Sequence, residues 1–394
     1  MVSLETSVLG IKFENPFLLA SAPPTALIES IEKAFSIGWG GAVLKTITPD
    51  ELKLQDTSPR YAVMKNKEKI IGFQNIELLS HKSVQYWCDG IKYLKKKYPT
   101  KVIIASIMAP VQKHQWQNLV KTLNKTPIDA YELNFSCPHG MPEKGIGMAI
   151  GTNSEISAEI TKWVKDVSTV PVFVKLSPNV TDVTEIAKAV EKVGADGLAA
   201  INTVQGFMGI NLDTFEPKLN VDGYSAYGGL SGEIVKPIGL RIVTQLRQVS
   251  NLPILGIGGI SSWQDTVQYI AAGSDVVQIC TEVMINGFKI INELKTGLLN
   301  YLENKKIDNI SKLKNIAVKK IVTHKQLNKD YKLFPNIDLT KCVRCGKCIS
   351  ICSESEGNAL SKNELGNIVL NKEKCLNCSL CKLICSKQAI EMTI

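Results

Sequence analysis

The sequence predicts an α/β chain: a (β/α)8 TIM barrel with a small C-terminal α+β domain. Three observations predict it. Eight short apolar runs alternate with helical patterns between residue 16 and residue 300. Each run is continuously apolar, as in parallel strands covered on both faces. The composition then changes abruptly, and eight of the eleven cysteines crowd into residues 342–385. The expected layout is a barrel over 1–303, a lysine-rich connector over 304–336 and a compact cysteine domain over 337–394.

The eight runs are residues 17–22, 42–46, 102–107, 130–136, 172–177, 197–203, 254–259 and 276–281. Between them, stretches such as 155–167 and 183–193 repeat their apolar positions with the helical period. Eight strand–helix units in about 285 residues match a barrel in number and length. A doubly wound sheet is the alternative that strand count leaves open. Two connections, 47–75 and 204–232, are long and follow strands two and six. Barrel enzymes build their sites at those strand ends, and long loops with little structure of their own are expected to act as lids.

The apolar fraction is 44%, enough for a sizeable core. No run approaches the ~18 apolar residues of a membrane span. The N-terminus MVSLETSVLGIKFENP lacks the basic start and apolar run of a signal peptide. A cytoplasmic protein with no membrane partner is expected. Formal charge is +9, and nine lysines against Asp308 and Asp330 put +7 of it on residues 305–332. No series of aromatic side chains interleaves with those lysines, so the segment reads as a solvated connector and not as a nucleic-acid surface.

Cysteine spacing carries the most specific chemistry. Cys342, Cys345, Cys348 and Cys352 follow C-x2-C-x2-C-x3-C, and Cys375, Cys378, Cys381 and Cys385 repeat it 33 residues on. Three thiolates at that spacing wrap one cubane, while the fourth reaches the other. One 4Fe-4S cluster is therefore assigned to Cys342, Cys345, Cys348 and Cys385, the other to Cys375, Cys378, Cys381 and Cys352. Zinc is the alternative, but four ligands per ion give no reason for a third C-x2 step repeated twice. This stretch resembles bacterial two-cluster ferredoxins, with Ser353 and Ser386 where that family usually has proline. Paired clusters move single electrons, so the barrel should hold a redox centre.

Polar residues gather where the strands end: Lys45 and Thr46, Asn134, Ser136 and Cys137, Lys175, Asn202 and Thr203, Gly258 and Gly259, and Thr281. A lysine closing the apolar run VFVKLS is costly unless it meets an anion or acceptor. The alternative is a lysine snorkelling to the rim. ILGIGGI (254–260) follows strand seven, where barrels commonly hold a phosphate on backbone amides. YGGLSG (227–232) offers more close donors. A mononucleotide flavin suits this better than a dinucleotide, because no strand-opening G-x-G-x-x-G is present.

The motifs ASAPPT (20–25), VLKT (43–46), FQNIELLS (73–80), IASIM (104–108), ELNFSCPHGM (132–141), KLSPNVTD (175–182), NTVQGFMG (202–209), YGGLSG and ILGIGGI resemble the FMN barrel of the dihydropyrimidine dehydrogenases, in particular the bacterial NAD-dependent catalytic subunit. The same barrel occurs in dihydroorotate dehydrogenases, whose motif has Asn after Cys-Pro where His139 stands here. The resemblance implies that Ser21, Lys45, Thr46, Lys175, Gly229, Gly258, Gly259, Cys280 and Thr281 line FMN. It implies that Asn75, Asn134, Asn202 and Thr203 bind the pyrimidine, and that Cys137 is the catalytic acid or base. The segment before Asn75 is shorter than in the large animal enzymes.

The expected activity is interconversion of uracil or thymine with 5,6-dihydropyrimidines. Hydride passes through the flavin and a proton through the Cys137 thiol, whose ordinary pKa of about 8.5 leaves it protonated at neutral pH. No NAD- or FAD-binding motif is visible, so a separate FAD/NAD(P) subunit is expected to exchange electrons with the clusters, in a homodimer or heterotetramer. The alternatives are dihydroorotate oxidation and a non-catalytic electron-transfer protein. Cys88 reads as helix packing, and His81, His114 and His324 as surface or packing residues.

Overall fold

A computed structural model describes residues 2–135 and 146–394. The chain divides into two compact units, Met1–Ile321 and Val322–Ile394.

In the first unit the barrel strands are β1 Phe17–Leu19, β2 Gly41–Val43, β3 Val102–Ile107, β4 Ala130–Asn134, β5 Val172–Lys175, β6 Gly197–Ala200, β7 Ile254–Ile257 and β8 Val276–Ile279. Each is parallel to the next and β8 pairs with β1, so the sheet closes. That closure excludes the doubly wound alternative. Seven of the strands lie within the apolar runs, and β2 begins one residue before its run, at Gly41. The helices that return the chain are α1 Ile28–Ser36, α2 Val84–Lys97, α3 Lys113–Leu123, α4 Ser154–Lys165, α5 Val183–Lys192, α6 Lys236–Val249, α7 Trp263–Ala271 and α8 Ile290–Asn304. Side chains start several of them: Ser83, Asn153 and Asp182 accept from first-turn amides, and Ser262 with Asp265 forms a capping box. No described helix is long and apolar enough to cross a membrane.

An N-terminal hairpin, Thr6–Val8 with Ile11–Phe13, turns at Leu9 and Gly10, both at positive φ. Val8 and Phe13 join the inward-facing Leu18, Val43, Ile104, Phe173 and Leu255 in one buried cluster. The hairpin therefore caps the barrel interior, a role that short-range pattern did not reveal. Behind α8, Ile310 and Leu313 are buried in 3-10 turns against the main core.

The two long connections differ from the expected loops. Tyr61–Asn66, Lys69–Asn75, Gly228–Ser231 and Val204–Gly206 form one four-stranded antiparallel sheet. Gln74, fully buried, ties it together: its Oε1 accepts from Met208 N and its Nε2 donates to Ala226 O. Two connections 130 residues apart thus satisfy each other's backbone groups, a pairing that neither segment specifies alone.

The second unit has two small ladders, Phe334–Ile337 with Ile390–Thr393 and Leu360–Lys362 with Ile368–Leu370. Helices Lys347–Glu354 and Leu380–Ile384 accompany them. Its core is Cys348, Leu360, Ile368, Cys381 and Ile390.

Candidate functional site

The barrel mouth opens into a cavity of about 1190 Å³, its open entrance included. Ser21, Lys45, Thr46, Asn75, Asn134, Lys175, Asn202, Thr203, Gly258, Gly259, Cys280 and Thr281 all line it. Asn75 comes from the antiparallel sheet over the mouth; the others meet because parallel strands end on one side of a closed barrel. Gly229 lies beneath the wall: a Cβ there would sit 2.1 Å from Thr203 Oγ1, so only glycine lets the sheet approach. Cys137, with Ser136 and His139, lies outside the described residues.

A chain of hydrogen bonds crosses the mouth. Thr46 Oγ1 contacts Ser21 Oγ at 3.2 Å and Ser106 Oγ at 2.9 Å, and Asn134 Nδ2 donates to it at 2.9 Å. Asn202 Nδ2 approaches Asn134 Oδ1 at 3.5 Å, and Asn202 Oδ1 accepts from Thr203 N at 2.9 Å. Asn75 also holds backbone, donating to Gly229 O at 2.9 Å and accepting from Glu77 N at 3.3 Å.

Both lysines meet carboxylates. Lys175 is 4% exposed and sits 3.3 Å from Glu132, itself fully buried. Snorkelling is thereby excluded. Gln278 Nε2 donates to the other Glu132 oxygen at 2.7 Å. Lys45 pairs with Glu77 at 3.0 Å, and Glu77 also accepts from Tyr61 OH at 2.8 Å and faces Arg60 at 3.3 Å. Arg60 continues to Asp56, which also binds His81. Burial opposes ionisation of Asp56, but His81, the Leu78 amide and Arg60 hold its carboxyl below the usual range. Burial and then Glu77 push the Tyr61 phenol up, so it remains a donor.

Glu77, Glu132, Gln278 and Tyr61 were missed from sequence. A signal existed for two of them: Glu132 in AYELN and Gln278 in VVQIC are polar residues inside fully buried strands, the same anomaly that singled out Lys175. Glu77 and Tyr61 reach the cavity through the sheet over the mouth.

At one side of the cavity, Gly258 and Gly259 turn at φ +127° and +68° between β7 and α7. A Cβ on Gly259 would lie 2.7 Å from Gly232 O, so the two glycine turns pack directly together. The amides of residues 258–260 donate to no group among the described residues. Thr281 Oγ1 bonds Ser231 Oγ at 2.9 Å beside them. Burial pushes the Cys280 thiol up to about 11, which keeps it neutral and unreactive.

In the second unit the cysteines sort into two apolar cavities of about 400 and 390 Å³. The first is lined by Cys342, Cys345, Cys348 and Cys385, the second by Cys375, Cys378, Cys381 and Cys352. Three cysteines of one motif thus share each cavity with the fourth of the other. The loops have the same backbone in both repeats, with Arg344 and Asn377, then Gly346 and Ser379, at positive φ. Ala359 N donates to Cys352 Sγ and Ala389 N to Cys385 Sγ, each at 3.3 Å.

A family model described as dihydroorotate dehydrogenase matches residues 3–302. The chain belongs to the dihydroorotate dehydrogenase family. A second model, described as a 4Fe-4S dicluster domain, matches residues 334–386. The chain is 36% identical over 365 residues to the NAD-dependent dihydropyrimidine dehydrogenase subunit PreA of Escherichia coli K12, covering 92% of this chain and 88% of that one. It is 36% identical to the chloroplastic dihydropyrimidine dehydrogenase (NADP(+)) of Arabidopsis thaliana, over 84% of this chain and 80% of that protein. It is also 36% identical to the catalytic subunit of dihydroorotate dehydrogenase B (NAD(+)) of Pyrococcus abyssi, covering 80% of this chain and 99% of that one.

FMN is this family's cofactor, and the dicluster domain holds two 4Fe-4S clusters. The residues fit both groups. The uncommitted amides of residues 258–260 form a cradle suited to a single phosphate. Gln278 Oε1 is buried without a donor among the described residues, and a ring N–H would supply one. Each four-cysteine cavity presents thiols around an apolar void.

Proposed function

We propose that this chain is the pyrimidine-transforming subunit of a dihydropyrimidine dehydrogenase. The charge of the cavity carries the reading. Lys45 and Lys175 are the lysines lining its described part, and both face carboxylates. Dihydroorotate bears a carboxylate, which an uncommitted cation would suit better than these paired lysines. Uracil and thymine are neutral rings edged with N–H and C=O, which amides and hydroxyls match. The relatives point the same way. The Pyrococcus dihydroorotate enzyme is matched almost whole yet leaves a fifth of this chain over, whereas the Escherichia coli subunit covers 92%.

Ser21, Lys45, Thr46, Lys175, Gly229, Gly258, Gly259, Cys280 and Thr281 are the residues assigned to FMN. When bound, FMN supplies hydride exchange with the ring carbon C6. Asn134, Asn202, Thr203 and Asn75 are assigned to the pyrimidine edge; neighbours already orient the three asparagines, so little of their side-chain freedom is lost on binding. Glu132 and Glu77 hold the two ammonium groups in place. The sheet over the mouth excludes water. Cys137 gives or takes the proton at C5. Cys342, Cys345, Cys348 and Cys385 ligate one cluster, and Cys375, Cys378, Cys381 and Cys352 the other. When bound, the clusters would supply one-electron exchange with a separate FAD/NAD(P) subunit, in a cytoplasmic homodimer or heterotetramer.

The test follows, in the anaerobically purified chain, reduction of uracil and thymine by a reduced one-electron dye and oxidation of dihydrouracil and dihydroorotate by the oxidised dye. Activity on the first three is expected, with Cys137→Ser abolishing turnover while flavin and iron stay bound. Preferential oxidation of dihydroorotate overturns the assignment. Efficient NAD(P)H oxidation by the isolated chain removes the need for a partner.

A further inference from the structure

The two cysteine cavities share a ligand pattern and differ in charge. Lys347 and Lys387 line the first, together with Val343, and no acidic residue does. Arg344 is exposed in the same loop, between Cys342 and Cys345. Lys341 is also there, though Asp338 takes it up at 3.3 Å. No charged side chain lines the second cavity. Glu354 and Glu356 flank its Ser355, Glu373 offsets Lys374 beside Cys375, and the Lys372 ammonium lies over the Phe334 ring at 5.3 Å. Apolar residues are exposed around both sets: Val343 at 59% lines the first and Leu376 at 56% lines the second. Charge is therefore what separates the two faces.

An exposed apolar centre within a ring of one sign is the pattern of a transient docking surface. The apolar part excludes water over the redox centre, and the charge steers encounter and selects the partner. Resting on the electron-relay reading above, we infer that the first-cavity face, Val343 with Arg344, Lys347 and Lys387, docks an electron-carrier protein with an acidic rim around its own cofactor. Electrons then cross to the partner from the Cys342, Cys345, Cys348 and Cys385 set. Each encounter moves one electron: the reduced cluster is oxidised, the carrier is reduced, and no bond is made or broken.

The experiment uses the full chain, loaded with flavin and about eight irons, and reduced by dithionite. No pyrimidine is present, so a wrong substrate assignment leaves the outcome untouched. The probes are an oxidised flavodoxin as acidic carrier, cytochrome c as basic carrier and a neutral quinone. Electron transfer is followed by stopped flow against salt, and carrier affinity by anaerobic titration. Transfer to flavodoxin is expected to fall about tenfold from low to high salt. In Lys347→Glu/Lys387→Glu, transfer should fall about tenfold at low salt, with weakened affinity, a flattened salt slope and unchanged quinone reduction. Lys374→Glu, beside the second set, should change it less than twofold. Iron content and the cluster spectrum confirm that each variant is assembled. A rate to flavodoxin that rises with salt, a preference for cytochrome c, or a Lys374→Glu effect equal to that of the double variant overturns the assignment.

Discussion

Replacing Glu132 by glutamine tests the centre of the barrel directly. Glu132 is fully buried and accepts from Lys175 at 3.3 Å and from Gln278 at 2.7 Å. At an effective dielectric of about 20, unit charges 3.3 Å apart attract by about 5 kcal/mol. Glutamine keeps the volume and an acceptor oxygen but leaves the Lys175 ammonium uncompensated at 4% exposure. Removing one partner of a buried pair costs about 3–5 kcal/mol, because the other charge stays desolvated. At about 2–4 °C per kcal/mol, the barrel's melting temperature should fall on the order of 10 °C. The assay is thermal unfolding of the flavin-loaded chain, followed by far-ultraviolet circular dichroism. Glu132→Gln/Lys175→Met removes both charges and should recover most of the loss. If Glu132→Gln melts within 2 °C of wild type, or the double variant is no more stable than the single, the pair does not organise the barrel floor.

Gly229→Ala should displace Thr203, whose Oγ1 would lie 2.1 Å from the new Cβ; a shift of this kind costs up to about 10²-fold in kcat/KM for uracil, and a loss under threefold contradicts the close packing. Burial, reinforced by Glu233 and opposed by Asn286, raises the pKa of Glu282 above its ordinary 4.5. The fold thus holds a proton that the unfolded chain has lost. That stabilisation is complete below about pH 4.5 and disappears as pH rises through the native value. Glu282→Gln should therefore raise the melting temperature at pH 8 and leave it unchanged at pH 4; equal gains at both would contradict this. Ser379 adopts φ +64° where the other repeat has Gly346. Ser379→Gly relieves about 1–2 kcal/mol of left-handed strain against about 0.5–1 kcal/mol of added chain entropy, so iron loss to a chelator should slow; faster loss would refute the argument.

The eight strands and the spacing of the cysteines were legible in sequence because each rests on short-range periodicity. An apolar run between helical patterns identifies a buried parallel strand, and C-x2-C-x2-C-x3-C restricts three thiols to one loop. The lysine of VFVKLS announced an anionic partner but could not name Glu132, 43 residues earlier. The four-stranded sheet over the mouth was equally hidden: residues 61–75 and 204–231 find each other only once the barrel has brought strands two and six to the same side. Likewise, Gly229 is unremarkable until Thr203 is packed against it.

Sequence alone determined which residues the chain places at strand ends and how the cysteines are spaced, because these follow from local backbone geometry. Tertiary structure decided which charges are neutralised, which amides are already engaged and which connection covers the cavity. Those depend on distances between residues far apart in the chain, and only closure of the barrel sets them.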